Sequence, residues 1–445
     1  MKKQWSELTP NEKREERFRQ WLSPAGVKFN NAGAEKAYKE RVTRFIKVIK
    51  LEEPDRVPVI LPAGTFPVYH AGMTLKEAMY DNKKLCKAYR AFFKEFEADT
   101  FTSPGMVPSG RSNEIIDTLM TRFPGRGLPD NASMQNFVEG EYMKADEYDH
   151  FIEDMSDFVL RCYLPRTIGA LKPFAKFSPL PHILGLPHRF LAPAVMPDVR
   201  AAYQAIIDYG NEALEWGAPI MEFGREALAA GYPMFMGGMT GAPFDILADT
   251  LRGTRGIFMD MYRQPEKVQS AMEKLVKVMI DSGVEAASAT GGMMVFMALH
   301  KGDDTFMSDA QYETFYWPTF RKVIMGLIEA GMVPYLFAEG KYTNRLKTIK
   351  DLPKGKVIWY FDQTDMFKAK EVLGDRACIA GNVPTSLLRT GTAKATKEYC
   401  RKLIEVCGKG GGFILTGGAS LDKGKAENLK AMWEAASEYG VYKKK

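Results

Sequence analysis

From residue 232 to its end the chain repeats one rhythm: a short apolar run, a turn, then an amphipathic stretch closed by glycine. The apolar runs fall at 232–236, 293–299, 333–337, 357–361, 378–380 and 413–415. Helical patterns accompany them at 309–330 before Gly331, at 394–407 before Gly408 and at 426–439 before Gly440. Strands with no polar face belong to a parallel sheet that helices cover on both sides. Two earlier runs, at 57–61 and 98–102, raise the count to eight. Eight strand–helix units, with no GxGxxG after the first strand, predict an α/β chain closed as a (β/α)8 TIM barrel. An open doubly wound sheet is the competing fold.

Such a barrel needs about 250 residues, and the chain has 445. The remainder divides into two parts. Residues 1–50 are charged and helical in pattern, broken at Pro24-Ala25-Gly26, and read as an N-terminal helical extension packed outside a core. The barrel then takes 51–445, with an insertion at about 104–230, between strands 2 and 3, that caps the mouth. In the barrel part a helix is expected from Thr74, which caps it with Glu77 three residues on. In the insertion a short hairpin strand is expected at 138–142, with helices near 145–170 and 198–216. A Pro-rich span at 173–193 places His182 and His188 at the rim. Insertions this long carry function or their own structure.

Charge and composition exclude several classes. The net charge of +6 sits largely at the two ends, and no basic run is interleaved with aromatics, so no nucleic-acid partner is expected. No stretch reaches the ~18 uncharged apolar residues that span a bilayer. The first twenty residues lack the apolar core of a signal peptide. Five scattered cysteines with no CxxC pair fit a reducing cytoplasm and exclude a structural zinc ribbon. Gly408 to Gly412 lacks the GK[ST] ending of a phosphate loop and precedes a strand, so it reads as a turn.

In a barrel the polar residues just past strand C-termini are the functional candidates. That rule selects Thr65, Tyr69 and His70; His300, Lys301, Asp303 and Asp304; Glu339 and Lys341; Asp362; Asn382; and the segment 416–420. His300 follows a long apolar run and has charged neighbours, which suits a general acid or a metal ligand. A strand-end histidine bonded to a carboxylate is the plainer reading. Glu339 suits an acid or a ligand, or an ion pair with Lys341. Asp362 faces the cavity or ties loops; Asn382 shapes its loop or contacts substrate. His150, beside Asp149, is a surface residue. The chain has 25 methionines, and Met234, Met236, Met239, Met293, Met294 and Met297 gather on two strands. They either fill the core or make an adaptable apolar wall for an aromatic ligand.

The residues Arg44, Pro54-Asp55-Arg56-Val57-Pro58-Val59, Gln264-Pro265-Glu266, Val333-Pro334-Tyr335-Leu336-Phe337-Ala338-Glu339-Gly340, Cys378-Ile379-Ala380-Gly381-Asn382-Val383, Gly412-Phe413-Ile414-Leu415 and Glu427-Asn428-Leu429 carry a resemblance. In this order and spacing they resemble the uroporphyrinogen decarboxylase-like superfamily, over most of the chain. The resemblance implies one of two chemistries: cofactor-free decarboxylation of a tetrapyrrole, or methyl transfer involving a corrinoid protein. The decarboxylases grip substrate carboxylates with arginines in the loop after strand 1, and residues 63–70 here hold none. The segment Glu139-Gly140-Glu141-Tyr142-Met143-Lys144, followed by Glu147-Tyr148-Asp149, is similar to methyltransferases that demethylate methoxylated aromatics.

The resemblance therefore implies an O-demethylating methyltransferase. Its partners are a small aromatic methyl ether and a separate corrinoid protein, and it is expected as a homodimer. His300, Glu339 and Asp362 are its expected catalytic residues; Tyr69, His70, Asn382, Met236 and Met297 its expected substrate contacts. Thiol-methylating members hold zinc through His-x-Cys and a later Cys. Phe337-Ala338-Glu339 and Gly417-Gly418 stand there instead, which leaves a zinc on His300 and Glu339 as the expectation. A decarboxylase of a tetrapyrrole or other polycarboxylate, and a non-catalytic corrinoid- or tetrapyrrole-binding protein, are the alternatives.

Overall fold

The computed structural model describes residues 3–132, 135–180, 188 and 191–443. A small sheet comes first: β1 (Thr121–Pro124) pairs in parallel with β2 (Gly127–Leu128) and antiparallel with β3 (Asn136–Phe137). The main sheet has six parallel strands in chain order: β4 (Met236–Met239), β5 (Met294–Leu299), β6 (Val333–Ala338), β7 (Ile358–Phe361), β8 (Cys378–Val383) and β9 (Phe413–Gly417).

Two extended segments close this sheet into a barrel. Ile60 N donates to Leu415 O at 3.0 Å, and Leu415 N to Pro58 O at 2.9 Å, which sets the first segment beside β9. Asp99 N donates to Val59 O at 3.0 Å, and Thr100 Oγ1 to Pro233 O at 2.7 Å, which sets the second between the first and the approach to β4. Both were expected as strands, yet only Val59 makes a ladder bridge. Pro58 and Pro62 have no N–H to give. The N–H of Val59 is taken by the Asp99 carboxylate at 2.8 Å. Asp99 is fully buried and is itself held by Arg44 Nη1 at 2.6 Å and Arg56 Nη2 at 2.7 Å. Side-chain ion pairs thus join the ring where a regular ladder cannot.

The third strand also lies later than expected, at Met236–Met239 rather than 232–236. Its two central glycines break the apolar run but suit the packing. A Cβ on Gly238 would stand 2.7 Å from Ala287 N of the helix Pro265–Thr290.

Strand alternation gives the sheet two faces. Val295, Met297, Leu336 and Trp359 point outward: a Cβ on Gly283 of the covering helix would meet Val295, and Trp359 meets Phe320 of the helix Trp317–Glu329 edge-on. Phe296, Tyr335, Phe337 and Tyr360 point inward and touch one another. The helices α1 (Pro10–Leu22) and α2 (Ala32–Ile49) were expected outside the core. They send Phe18, Trp21 and Phe45 into it, and Phe45 lies 4.7 Å from Phe235, which meets Tyr335 edge-on. These rings stop the barrel from below.

The Thr74–Glu77 capping box opens the helix Leu75–Tyr80 as expected. In the insertion, the strand expected at 138–142 is an irregular loop after β3. The helix expected at 198–216 runs instead over Pro197–Ala229, through Gly217 and Pro219. Buried Phe223 and Ala227, and the Arg90–Glu226 pair at 2.7 Å, hold its second half in place. No helix among the described residues is long and apolar enough to cross a membrane.

Candidate active site

Three adjacent strands deliver three ionisable side chains to one end of the barrel. His300 follows β5, Glu339 follows β6 and Asp362 follows β7. Each stands two residues beyond an inward-facing position (Ala298, Phe337 and Tyr360), so alternation turns each toward the mouth. His300 Nε2 lies 3.8 Å from Glu339 Oε2, and both side chains are part-exposed.

The other face of the imidazole is tied down. His300 Nδ1 lies 2.5 Å from Asp249 Oδ2, and Lys301 Nζ lies 3.3 Å from Asp249 Oδ1. Asp249 sits in a π-helical turn, Ile246–Arg252, a form of helix common at functional sites. Beneath it Asp245 is buried and accepts from His300 N at 3.2 Å, Lys301 N at 2.9 Å and the Tyr316 hydroxyl at 2.6 Å.

These contacts set the charge of the site. The hydrogen bond to Asp249 lifts the His300 pKa to about 9 against the opposing effect of burial, with the charges of Asp245, Asp249 and Glu339 adding to it. Burial, with Asp249 nearby, pushes Asp245 up to about 6. Burial also raises Glu339, opposed by the His300 charge, and raises Asp362, opposed by the N–H of Gly340. At neutral pH the site presents an imidazolium whose Nε2–H faces the barrel mouth.

This arrangement does not fit the expected zinc. A zinc site takes four ligands, or three with an open position. Among the described residues no three His, Cys, Asp or Glu side chains gather closely enough to hold a metal.

The lining below the acid is apolar. Phe337 and Tyr360 stack at 4.3 Å, and Phe296 lies 6.1 Å from Phe337. Met236 and Met239 pair with Met294 and Phe296 on the inward face and are 41% and 60% exposed, so they offer an unfilled apolar wall. Met297, expected beside them, points outward and is fully buried between sheet and helices. It is a core residue on the opposite face of its strand.

The other expected contacts lie in different surroundings. Asn382 Nδ2 donates to Asp362 O and Thr364 O, both at 2.9 Å, and its Oδ1 accepts from Tyr399, so the amide ties two strand-end loops together. His70 bonds Glu95 at 2.8 Å and stacks on Phe66. Lys423 lies over the Tyr69 ring at 4.8 Å, while Thr65 bonds Asp422 at 2.6 Å. Asp303 accepts from Thr305 N at 2.6 Å and Lys341 N at 2.5 Å, a loop tie. His150 bonds Asp157, and His188 is exposed; His182 lies outside the described residues.

Sequence reasoning missed Asp245 and Asp249. The signal was present: four residues apart on a helical segment, they follow Gly241-Ala242-Pro243 at the end of β4. With that strand set at 232–236, the strand-end rule pointed three residues too early.

A cavity of about 1350 Å³ lies between the loop at 139–141 and the helix Gly253–Arg263. It is lined by both acids and bases, and Glu139 already occupies the N–H of Thr254. It lacks the converging acid and aromatic floor of the mouth.

A family model for uroporphyrinogen decarboxylase matches residues 188–439, more than half of the chain. No curated protein sequence matches it. Among solved structures, it is similar to a methyltransferase from Methanosarcina mazei, with a TM-score of 0.56 and 17% identity over 89% of this chain and 98% of that one. It is more distantly similar to a B12-independent methionine synthase from Shewanella sp. W3-18-1, with a TM-score of 0.32 and 11% identity over 45% of this chain and 59% of that one. The first likeness concerns the fold.

Proposed function

The chain belongs to the uroporphyrinogen decarboxylase family, and from that premise we propose that it is a methyltransferase acting on methoxylated aromatic compounds, with the cobalt of a separate corrinoid protein as acceptor. The observation that carries this reading is the His300 imidazolium, fixed by Asp249, above an apolar and aromatic wall. The Methanosarcina protein of this fold is itself named a methyltransferase.

The chemistry asks for a proton at one atom. The nucleophile on the corrinoid protein gives an electron pair to the methyl carbon, and the aryl oxygen leaves with the bonding pair. A phenolate is a poor leaving group, since phenol has a pKa of about 10. His300 titrates at about 9, within roughly one unit of phenol, so proton transfer to the departing oxygen runs slightly downhill. Nε2–H is the donor; Asp249 and the buried Asp245 stabilise the charge until transfer and hold the ring in place. The aromatic ring of the substrate rests against Phe337 and Tyr360 with Met236 and Met239 at its edge, and Glu339, 3.8 Å from Nε2, adds to the negative charge that keeps the imidazolium protonated. The capping insertion excludes water, and the rim receives the corrinoid protein.

Decarboxylation of a polycarboxylate is disfavoured by charge. Asp249, Glu339 and Asp362 make the mouth acidic, and the loop 63–70 supplies no arginine. The test is to mix the protein with a reduced corrinoid protein and a panel of methoxybenzenes and follow the Co(I) absorbance. Its loss with at least one aryl methyl ether, releasing the phenol, is expected. Co(I) left unconsumed by every ether, or carbon dioxide released from a polycarboxylate instead, overturns the reading.

A further inference from the structure

The strand end that carries His300 is gripped from behind by buried side chains. Leu299 O accepts from the Tyr342 hydroxyl at 3.3 Å, and Gly302 O accepts from Arg345 Nε at 3.3 Å. Between them, His300 N donates to Asp245 Oδ2 at 3.2 Å and Lys301 N donates to Asp245 Oδ1 at 2.9 Å. The packing is close. A Cβ on Gly302 would stand 2.5 Å from the Tyr342 hydroxyl oxygen and 3.0 Å from the Tyr316 ring.

Asp245 is the destabilising member of this grip. It is 4% exposed, and a buried carboxylate needs charge or hydrogen bonds to compensate its lost hydration. The cations beside it, His300 and Lys301, both pair with Asp249 instead. Three hydrogen bonds hold Asp245: the amides of His300 and Lys301, and the Tyr316 hydroxyl at 2.6 Å on the oxygen that also accepts from His300 N. A neutral amide cannot take its place. Asparagine has one acceptor oxygen and sets N–H groups at the other position, so the amide of either His300 or Lys301 would lose its acceptor. The carboxylate is thus matched to two neighbouring amides, and Tyr316 ties it to the π-helical turn Tyr312–Tyr316.

Tyr316 differs from its neighbour in one respect. Tyr312 stacks on Tyr316 at 5.2 Å, and both are fully buried. The Tyr312 hydroxyl has no hydrogen-bond partner among the described residues. One hydroxyl holds the carboxylate behind His300, and the other holds nothing.

We propose that Tyr316 is a positioning residue: acting through Asp245, it fixes the backbone of His300 and Lys301 and so the direction in which Nε2–H faces the mouth. A proton donor held in one direction reacts faster than one that wanders. The effect on rate rests on the reading of His300 as proton donor; the effect on the strand end rests on the hydrogen bonds alone.

The test uses the full chain as wild type, Tyr316→Phe, Tyr312→Phe, Asp245→Asn and the double variant Tyr316→Phe/Asp245→Asn. Deuterium exchange at the amides of 300 and 301 is read first, since it needs no substrate. Tyr316→Phe is expected to speed exchange there several-fold, with the amides of β7 unchanged. In single turnovers with the reduced corrinoid protein and an aryl methyl ether, it is expected to lose roughly tenfold or more in rate. The half-saturating ether concentration should hold, because Tyr316 is fully buried and touches no substrate. Tyr312→Phe removes an equally buried hydroxyl and is expected to match wild type in both readouts. The double variant is expected to match Asp245→Asn, because Tyr316 acts only through that carboxylate. Both phenylalanine variants keep the packed ring, so they decide the matter even where Asp245→Asn does not fold. Unchanged exchange at 300 and 301 in Tyr316→Phe, equal effects of the two phenylalanine variants, or faster exchange with no loss of rate overturns the proposal. So does a double variant slower than Asp245→Asn. A wild type that moves no methyl group overturns the proposed reaction instead, and exchange at 300 and 301 still decides the grip.

Discussion

Asp249→Asn removes a full negative charge 2.5 Å from His300 Nδ1 while keeping the size of the side chain. The hydrogen bond to Asp249 is the largest cause of the raised His300 pKa, and Asp245 and Glu339 remain to support part of it. An opposite charge at this range is worth roughly 1–3 pKa units. The variant midpoint should therefore fall from about 9 to roughly 6–8. At pH 8 the protonated fraction then drops from roughly nine-tenths to a half or less, and turnover with it. The assay is an NMR titration of the histidine ring signals, tractable because the chain has five histidines. Stability provides a second readout. His300 carries a raised pKa, so its stabilising contribution is present in full below about 6.5, the unfolded value, and is lost as pH rises through about 9. The stability gap between wild type and Asp249→Asn should thus narrow across that window. A variant midpoint that stays near 9 refutes the claim that Asp249 holds the proton on His300.

Four further substitutions test the architecture. Met297→Ala should cost about 2–5 kcal/mol in denaturant unfolding, as expected for a buried methionine. Met236→Ala should stay within about 0.5 kcal/mol while raising KM for the aromatic substrate; equal effects on stability would contradict the two-faced reading of the strands. Asp99→Ala leaves Arg44 and Arg56 without their shared carboxylate and should destabilise by about 3–5 kcal/mol, seen as a lower thermal midpoint; a neutral result would mean that the ion pairs do not close the barrel. Gly340 has φ of +76°, and a Cβ there overlaps the Asp303 carboxylate. Gly340→Ala should cost about 1–3 kcal/mol and lower kcat by displacing Glu339; unchanged unfolding and turnover would contradict this.

The regular half of the barrel was legible because each strand there is a continuous apolar run and the helices end in glycine. The irregular quarter was not. Segments 57–61 and 98–102 have the composition of strands, but prolines and the Asp99 carboxylate replace the ladder, and side-chain substitutes of that kind have no period to detect. β4 was misplaced because Gly237 and Gly238 look like a turn until the close approach of Ala287 is seen. His300, Glu339 and Asp362 were found by the strand-end rule. Their supporting carboxylates were not, because Asp249 stands 51 residues before His300 and only the folded barrel brings the two together. The difference between Met236 and Met297 was beyond reach as well: once a strand is buried on both sides, the sequence no longer says which face a residue takes.

The account rests on His300 giving its proton to the departing oxygen, and that step can be measured through the leaving group. Aryl methyl ethers whose phenols span a range of pKa are compared at fixed pH, for wild type and His300→Ala, in single turnovers with the reduced corrinoid protein. With His300 in place the rate should depend weakly on phenol pKa, because the proton neutralises the developing charge. In the variant the dependence should steepen, with the poorest leaving groups losing most. Parallel slopes for the two proteins, whatever the difference in their absolute rates, would contradict the account.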